Sequence, residues 1–435
     1  MSDLTIGFVS LGAILALIML RVPIGIALSA VALTGTMAIV GPAATFSLAG
    51  LIPYEFAASW ELSAIPMFLL MGTITYHSGL VTSLYDAARL WLRALPGGLA
   101  VATNFACAGF AAASGSSVAT TVAMGRIAVP EMLRAGYDKG LSTAVAACAG
   151  TLGSLIPPSV LMILYCAFTG QSVAKMFLAG VLPGLLTAAI YAGMIIGRCY
   201  LNPALAPRVG TQTTWAERMA ALRSTWPLPL LILGVIGGLY GGVVTPTEAG
   251  ALGAGIAFLI AVAQRRMSWK ILKTSVIEAL EGTATIFFAA LGAILLTRLM
   301  TFSGVPNLLA GVANDLAAES WMLVLGCSIV YIILGCFLEP LGLVLLTLPV
   351  MIPAFEARGI DMIWFGIMVV KYVEIGLMTP PVGLNVYAVK TIVGDTVPLN
   401  AIFAGTAWFL ACEVLILALL FVFPQIALWL PGMAY

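Results

Sequence analysis

The sequence predicts an all-α polytopic membrane protein, an inverted repeat with two re-entrant hairpins and two discontinuous helices. The first observation is composition: 62% of the 435 residues are hydrophobic and only 9% are charged, whereas soluble domains carry about 25% charged residues. The second is a pair of apolar stretches that are each broken by adjacent prolines. The third is a set of matching residues at one fixed offset. A net charge of +1 gives no indication of nucleic-acid binding.

About 20 apolar residues are needed for a helix to cross a bilayer. On that basis we predict ten spans, near residues 4–20, 22–40, 62–80, 141–169, 176–197, 227–243, 247–263, 275–301, 363–391 and 398–428. Arg21, rather than a small-residue cleavage site, follows the first run, so we interpret that run as a retained span and not as a signal peptide. The stretch 44–61 mixes apolar residues with Pro53 and Glu55, which is typical of an interfacial helix.

Two further apolar stretches, 98–130 and 320–353, are interrupted in the middle by SGSS at 114–117 and by FLEP at 337–340. We expect both to be re-entrant hairpins, which enter and leave the membrane on one side. Arg and Lys cluster in two loops that lie two spans apart, after the fifth and seventh predicted spans, and such clusters mark the cytoplasm. Counting spans from these loops places the first hairpin on the cytoplasmic side. The second hairpin and both termini then lie outside.

The double prolines lie in the fourth and ninth predicted spans, as Pro157-Pro158 and Pro380-Pro381. Proline has no amide hydrogen, so each pair removes two donors from its helix. Backbone carbonyls that lose their donors inside a membrane must be satisfied by protein or line a polar cavity. The carbonyls around Gly153 and Gly376 are therefore candidate ligands for a cation. A kinked helix without function is the alternative, and the duplication of the break argues against it.

The two breaks belong to a longer repeat. Pro130 in PEMLRAGYD is matched by Pro353 in PAFEARGID, 223 residues later, and Gly153 is matched by Gly376 at the same offset. Five predicted crossings separate the two hairpins. An odd number of crossings gives the copies opposite orientations, which is typical of secondary transporters.

Charged residues inside predicted membrane segments are candidates for function. Glu339 lies at the second hairpin tip, and the guanidinium of Arg298 could grip a carboxylate. Their alternatives are a carboxylate that reaches the external surface and an arginine that snorkels to it or forms an ion pair. Lys371 and Glu374 lie three residues apart, so we expect them to pair with each other. We expect Arg126 to neutralise a local group, and His77 to be an ordinary residue at a helix end.

Several motifs together resemble the large membrane subunit of TRAP (tripartite ATP-independent periplasmic) transporters. They are ASGSS, PEMLRAGYD, GTLGSLIPPS at 150–159, TPTEAGA at 245–251 and LMTPPVGLN, and the resemblance covers essentially the whole chain. TPTEA together with the duplicated double prolines is its most specific part. Glu339 departs from the Asp that is usual in the family at this place.

The resemblance implies a sodium-driven importer of organic acids with an elevator-type fold, in which a transport domain slides against a scaffold. It implies scaffold helices in 1–97 and 210–319, and transport-domain repeats in 98–209 and 320–435. It also implies two partners, a small four-helix membrane subunit and a periplasmic substrate-binding protein. The bacterial inner membrane is the implied location.

One sodium site is expected between the SGSS tip and the Gly150–Pro157 loop, and the other between the second tip and the loop that begins at Gly376. The predicted sodium ligands are Ser114, Ser117, Gly150, Gly153, Pro157, Gly335, Gly376, Met378 and Thr379. The predicted substrate-binding residues are Ser114, Ser116, Ser159, Arg298 and Glu339.

The function predicted from the sequence is sodium-coupled import of an organic acid that a binding protein delivers. One alternative is a stand-alone sodium/anion elevator symporter, and a second is a channel. An intramembrane enzyme is disfavoured, because the sequence contains neither HExxH nor GxSxG and only one histidine. No cofactor is expected beyond Na⁺ as the coupling ion.

Overall fold

The computed structural model describes residues 2–207, 214–308, 311 and 320–434. Within them every regular element is helical, which confirms the predicted all-α class. The first half of the chain forms α1 (Asp3–Met19), α2 (Ile24–Val40), α3 (Pro42–Ala57), α4 (Ala64–His77), α5 (Leu80–Leu92), α6 (Gly98–Ser114), α7 (Ser117–Arg134), α8 (Lys139–Ala149), α9 (Leu152–Leu155), α10 (Val160–Thr169) and α11 (Val173–Leu201).

The second half continues with α12 (Trp215–Ser224), α13 (Pro227–Ile232), α14 (Gly238–Tyr240), α15 (Pro246–Ala263), α16 (Trp269–Ser303), α17 (Ser320–Gly335), α18 (Pro340–Glu356), α19 (Met362–Met378), α20 (Leu384–Val393), α21 (Leu399–Val422) and α22 (Gln425–Ala434). Five helices in the described residues are long and apolar enough to cross a membrane, or seven if two bent helix pairs are each one span. Several predicted spans are shorter helices, such as α1 and α2 with 17 residues each.

Both predicted hairpins are present. In the first, only Gly115 and Ser116 separate α6 from α7, and Gly115 has a φ of +62°, which glycine adopts readily. In the second, α17 ends at Gly335 and α18 begins at Pro340. Each first arm therefore ends at or close to the tip that the sequence predicted, and Pro340 begins the second arm of the second hairpin.

Both predicted breaks are also present. In the first broken helix, α8 with α9 and the continuing α10 are bent by 40° about the Pro157-Pro158 pair. In the second, α19 ends at Met378 and α20 begins at Leu384, on the two sides of the other proline pair. A long helix follows each broken one, α11 in the first repeat and α21 in the second. The repeat seen in the sequence is therefore a repeat of structural elements.

One detail of the span prediction is wrong. The span predicted over 398–428 is two helices, because Pro424 follows the end of α21 and the residue before a proline is disfavoured in the helical conformation. The span predicted over 62–80 is the helix α4. After a bend of 63° the chain continues as α5 to Leu92. The predicted interfacial stretch is the helix α3.

Two groups of helices pack among themselves. The first contains α2, α4, α15 and α16, and the second contains the two hairpins and the two broken helices. Helix α18 touches the first group through α16. The division into scaffold and transport domains stays a prediction, and its limits at 209 and 210, as well as the stretch 312–319, lie outside the described residues.

Candidate functional site

The first hairpin tip packs directly on the first helix break. A Cβ atom on Gly153 would lie 2.5 Å from the backbone oxygen of Ser116, and a Cβ on Gly150 would lie 1.8 Å from Oγ1 of Thr121. The amide of Val160 donates a hydrogen bond of 3.3 Å to the Gly115 carbonyl. Only glycine permits this approach, because any side chain would separate the two backbones. We call this contact the first junction.

The second tip meets the second break in the same way. A Cβ on Gly376 would lie 2.5 Å from the carbonyl carbon and 2.6 Å from Cα of Gly335. The Gly376 carbonyl, which Pro380 deprives of an amide donor, accepts a hydrogen bond of 3.2 Å from the Thr379 amide. The hydroxyl of Thr379 donates to the Ile375 carbonyl at 2.6 Å. This contact is the second junction, and it brings together Gly335, Gly376 and Thr379 of the predicted second sodium site.

A cavity of about 520 Å³ adjoins the first junction and reaches the second hairpin tip. It is lined by both hairpin tips, by both broken helices and, from α4 and α16, by two apolar side chains. Its polar lining residues are Ser116, Ser117, Ser154, Glu339, Tyr387 and Thr391. We call it the central cavity. Its size and its mixed apolar and polar wall suit a small organic molecule.

The residues predicted to bind substrate are not all brought together. Ser116 and Glu339 line the central cavity, whereas Ser114 lines a neighbouring one. Ser159 is buried, and its side chain caps α10 by accepting from the Met162 amide. Arg298 is exposed on α16 and lines neither cavity. The structure therefore gives Ser159 a capping role and keeps Arg298 away from the central cavity.

A buried carboxylate that the sequence reasoning did not place lies beside the first junction. Glu374 on α19 is 1% exposed, and its Oε1 accepts a hydrogen bond of 2.6 Å from Ser117. The Ser117 hydroxyl also lies 2.7 Å from that of Ser154. A residue of the second repeat thus reaches the tip of the first. The repeat could not reveal it, because Thr151 stands at the matching position.

The expected pairing of Lys371 with Glu374 is wrong. The Lys371 amine lies 2.5 Å from Oε2 of Glu413 on α21, and the two side chains are 1% and 0% exposed. Oε1 of Glu413 also accepts from the Tyr191 hydroxyl at 2.5 Å. Lys371 and Glu374 share a helix but point to different neighbours. The partner of each is set by the helices packed around α19, which spacing along the chain cannot show.

The TPTEAG motif forms the N-terminus of α15. Oε2 of Glu248 accepts from the Thr245 amide at 2.8 Å, and the Thr245 hydroxyl accepts from the Glu248 amide at 3.4 Å, which completes a capping box. The ring nitrogen of Trp60 donates to the Thr247 hydroxyl at 3.1 Å. The spacing Thr-x-x-Glu ahead of an apolar run is the sequence signal for this cap.

Two hairpin tips that meet two broken helices around one cavity define a helical membrane transporter built from a repeat. The sequence model of one family, described as "Tripartite ATP-independent periplasmic transporter, DctM component", matches residues 11–426. The chain belongs to this family and is a large permease subunit of a TRAP transporter, as the resemblance predicted.

Curated relatives agree with this assignment. The chain is 37% identical, over 87% of its length and 88% of the relative's, to the C4-dicarboxylate TRAP transporter large permease protein DctM of Pseudomonas aeruginosa. It is 34% identical, over 86% of its length and 87% of the relative's, to the ectoine TRAP transporter large permease protein TeaC of Halomonas elongata.

Solved structures share the fold. The YdaH transporter of Alcanivorax borkumensis has a TM-score of 0.64 at 15% identity, covering 88% of this chain and 89% of that one. MtrF of Neisseria gonorrhoeae has a TM-score of 0.57 at 14% identity, covering 88% and 85%. At these identities the likeness concerns the fold alone.

Proposed function

We propose that this permease imports organic acids by sodium symport. A soluble binding protein delivers the substrate outside the bacterial inner membrane, and a separate four-helix membrane subunit completes the transporter. Sodium is a co-transported substrate here, held by backbone and hydroxyl oxygens at the two junctions. The observation that carries the proposal is the pair of glycine-mediated junctions, the first of which lines the central cavity.

The chemistry of the junctions suits a small hard cation. Broken helices expose carbonyl oxygens of the kind that coordinate Na⁺ in transporters. At the first junction these oxygens lie beside the hydroxyls of Ser117 and Ser154, and at the second beside that of Thr379. Glu374 adds a carboxyl oxygen at the first junction. The relatives are named for C4-dicarboxylates and ectoine, which share a carboxylate group.

Coupling requires that sodium favour one state of the protein over another, because equal binding to both states shifts nothing. In our proposal, bound ions tie each tip to its broken helix and so complete the central cavity. The two hairpins and broken helices then move together against α2, α4, α15 and α16, in an elevator movement. The cavity opens to the cytoplasm, where the ions and the anion leave.

The test is uptake into proteoliposomes that contain both membrane subunits. The ligand of the binding protein is first identified by thermal-shift screening with succinate, ectoine and isethionate. We expect uptake only with an inward sodium gradient and the loaded binding protein. Uptake without the binding protein would indicate the stand-alone symporter, and uptake without sodium would indicate a channel.

A single hydroxyl tests the second junction. Thr379→Ala should raise the sodium concentration for half-maximal uptake by about tenfold to a hundredfold, since a lost bond to a charged partner is worth about 1.5–3 kcal/mol. Thr285→Ala is the matched control, because Thr285 also donates to the carbonyl four residues earlier but lies exposed on α16. Equal sodium titrations for both variants would remove Thr379 from the site.

A further inference from the structure

A second cavity of about 330 Å³ lies beside the central one. One wall is α7, where Ala119, Val122 and Arg126 recur on one face at helical spacing. Residues of α4, α6 and α16 form the other walls, and both Leu69 and Ser116 line the two cavities alike. The second cavity therefore adjoins the central cavity along the second arm of the first hairpin.

Arg126 lines this cavity and forms no ion pair with another described residue. Within the described residues its hydrogen-bond partner is the Tyr76 hydroxyl at 3.4 Å, which is neutral. The local acidic partner expected from the sequence is absent from the described part of the chain. Glu278 also lines the cavity, but it pairs with His77 at 2.5 Å, at the end of α4. The guanidinium is thus left to interact with a ligand.

The position of Arg126 relates it to the direction of transport. At 1.5 Å per residue, it lies about 14 Å along α7 from the hairpin tip at Ser117. The arm continues towards Arg134, on the side that the Arg and Lys distribution assigns to the cytoplasm. An anion that leaves the central cavity for the cytoplasm along this arm passes Arg126. An ionised residue within a membrane segment is costly and marks such pathways.

We propose that the second cavity is an anion-binding site on the cytoplasmic exit path, where Arg126 grips the carboxylate or sulfonate group of the departing substrate. The proposal rests on the import of organic acids proposed above. A guanidinium offers two parallel donors to either group, whereas an ammonium offers a point charge. The Tyr76 hydroxyl is placed to add a third donor.

The test uses two single-cysteine reporters in the purified two-subunit complex in nanodiscs. Ala119→Cys reports on the second cavity and Thr391→Cys on the central one, since both positions are exposed and each lines only its own cavity. The seven native cysteines are buried, so they give little background. Maleimide labelling rates are compared with and without succinate, isethionate or acetate at high millimolar concentration, with and without sodium.

We expect at least one anion to slow labelling of Ala119→Cys several-fold. Arg126→Gln should abolish this protection, Arg126→Lys should retain part of it, and neither should change protection of Thr391→Cys. Arg134→Gln is the control, because it removes an exposed arginine from the same helix without touching either cavity.

Two results would overturn the inference: no protection of Ala119→Cys by any of the three anions, or full protection in the Arg126→Gln background. If Thr391→Cys is nevertheless protected in a sodium-dependent way, the proposed function stands without this site. If Arg126-dependent protection of Ala119→Cys occurs while Thr391→Cys shows no sodium dependence, the exit site stands and sodium coupling fails.

Discussion

Replacing Lys371 should destabilise the fold, because Lys371 forms a buried ion pair with Glu413. Its amine lies 2.5 and 2.7 Å from the two carboxylate oxygens of Glu413, and both side chains are almost fully buried. The amine also donates to the Thr187 hydroxyl at 3.3 Å. The network therefore joins α11, α19 and α21. In Lys371→Met, the carboxylate of Glu413 keeps only the Tyr191 hydroxyl as a donor.

The expected cost follows from burial. Breaking one buried ion pair by removing a single partner costs about 3–5 kcal/mol, because an uncompensated charge remains. Replacing both partners by neutral groups is often nearly neutral. Lys371→Met combined with Glu413→Gln should therefore recover most of the loss, since the Gln oxygen still accepts from Tyr191. Glu374→Gln combined with Lys371→Met should recover none of the lost stability, because Glu374 accepts a hydrogen bond from Ser117 and not from Lys371.

The assay is thermal unfolding of the purified protein at one scan rate, followed by tryptophan fluorescence. The variants are Lys371→Met, Glu413→Gln, Glu374→Gln and the two double variants that contain Lys371→Met. We expect strong coupling between Lys371 and Glu413, and additive effects for Lys371 with Glu374. The reasoning would be refuted if the coupling lay with Glu374, or if Lys371→Met alone left the unfolding midpoint unchanged.

Three further predictions concern transport. Gly376→Ala should abolish sodium-dependent uptake, because its Cβ would lie 2.5 Å from the backbone of Gly335; uptake and folding are measured in parallel. Glu374→Gln should raise the half-maximal sodium concentration by about tenfold to a hundredfold, since a hydrogen bond to a charged group is worth about 1.5–3 kcal/mol. A crosslink between Ile24→Cys on α2 and Gly342→Cys on α18, which are in contact, should stop uptake until it is reduced.

Each of these predictions has its own control. Gly255→Ala adds a methyl group where nothing lies within 4 Å, so it should transport normally. Sodium-independent binding of anions by the Glu374→Gln variant should stay unchanged, and an unaltered sodium titration would contradict its role. The single-cysteine variants should be insensitive to oxidation. Full uptake after complete crosslinking would exclude movement of α18 against α2.

Much of the fold could be predicted because its signals are local. The double prolines lack amide donors wherever they stand, so both helix breaks were placed correctly at 157–158 and 380–381. The SGSS tip followed from small and polar residues inside an apolar run. Each hairpin and each helix break also occurs twice in the repeat, so two stretches of sequence predicted the same feature. The helix break at Pro424 carried the same kind of signal but lay inside a continuous apolar run, and it was missed.

The sequence by itself determined the class of the protein, the breaks, the tips and the repeat that relates them, because backbone chemistry and hydropathy act along the chain. Tertiary structure alone decided which side chains meet. It joined Lys371 to Glu413 rather than to Glu374, brought Glu374 across to Ser117, and left Arg298 outside the central cavity. The physical reason is the rotation of each helix about its axis, which packing against neighbouring helices fixes and which linear spacing does not record.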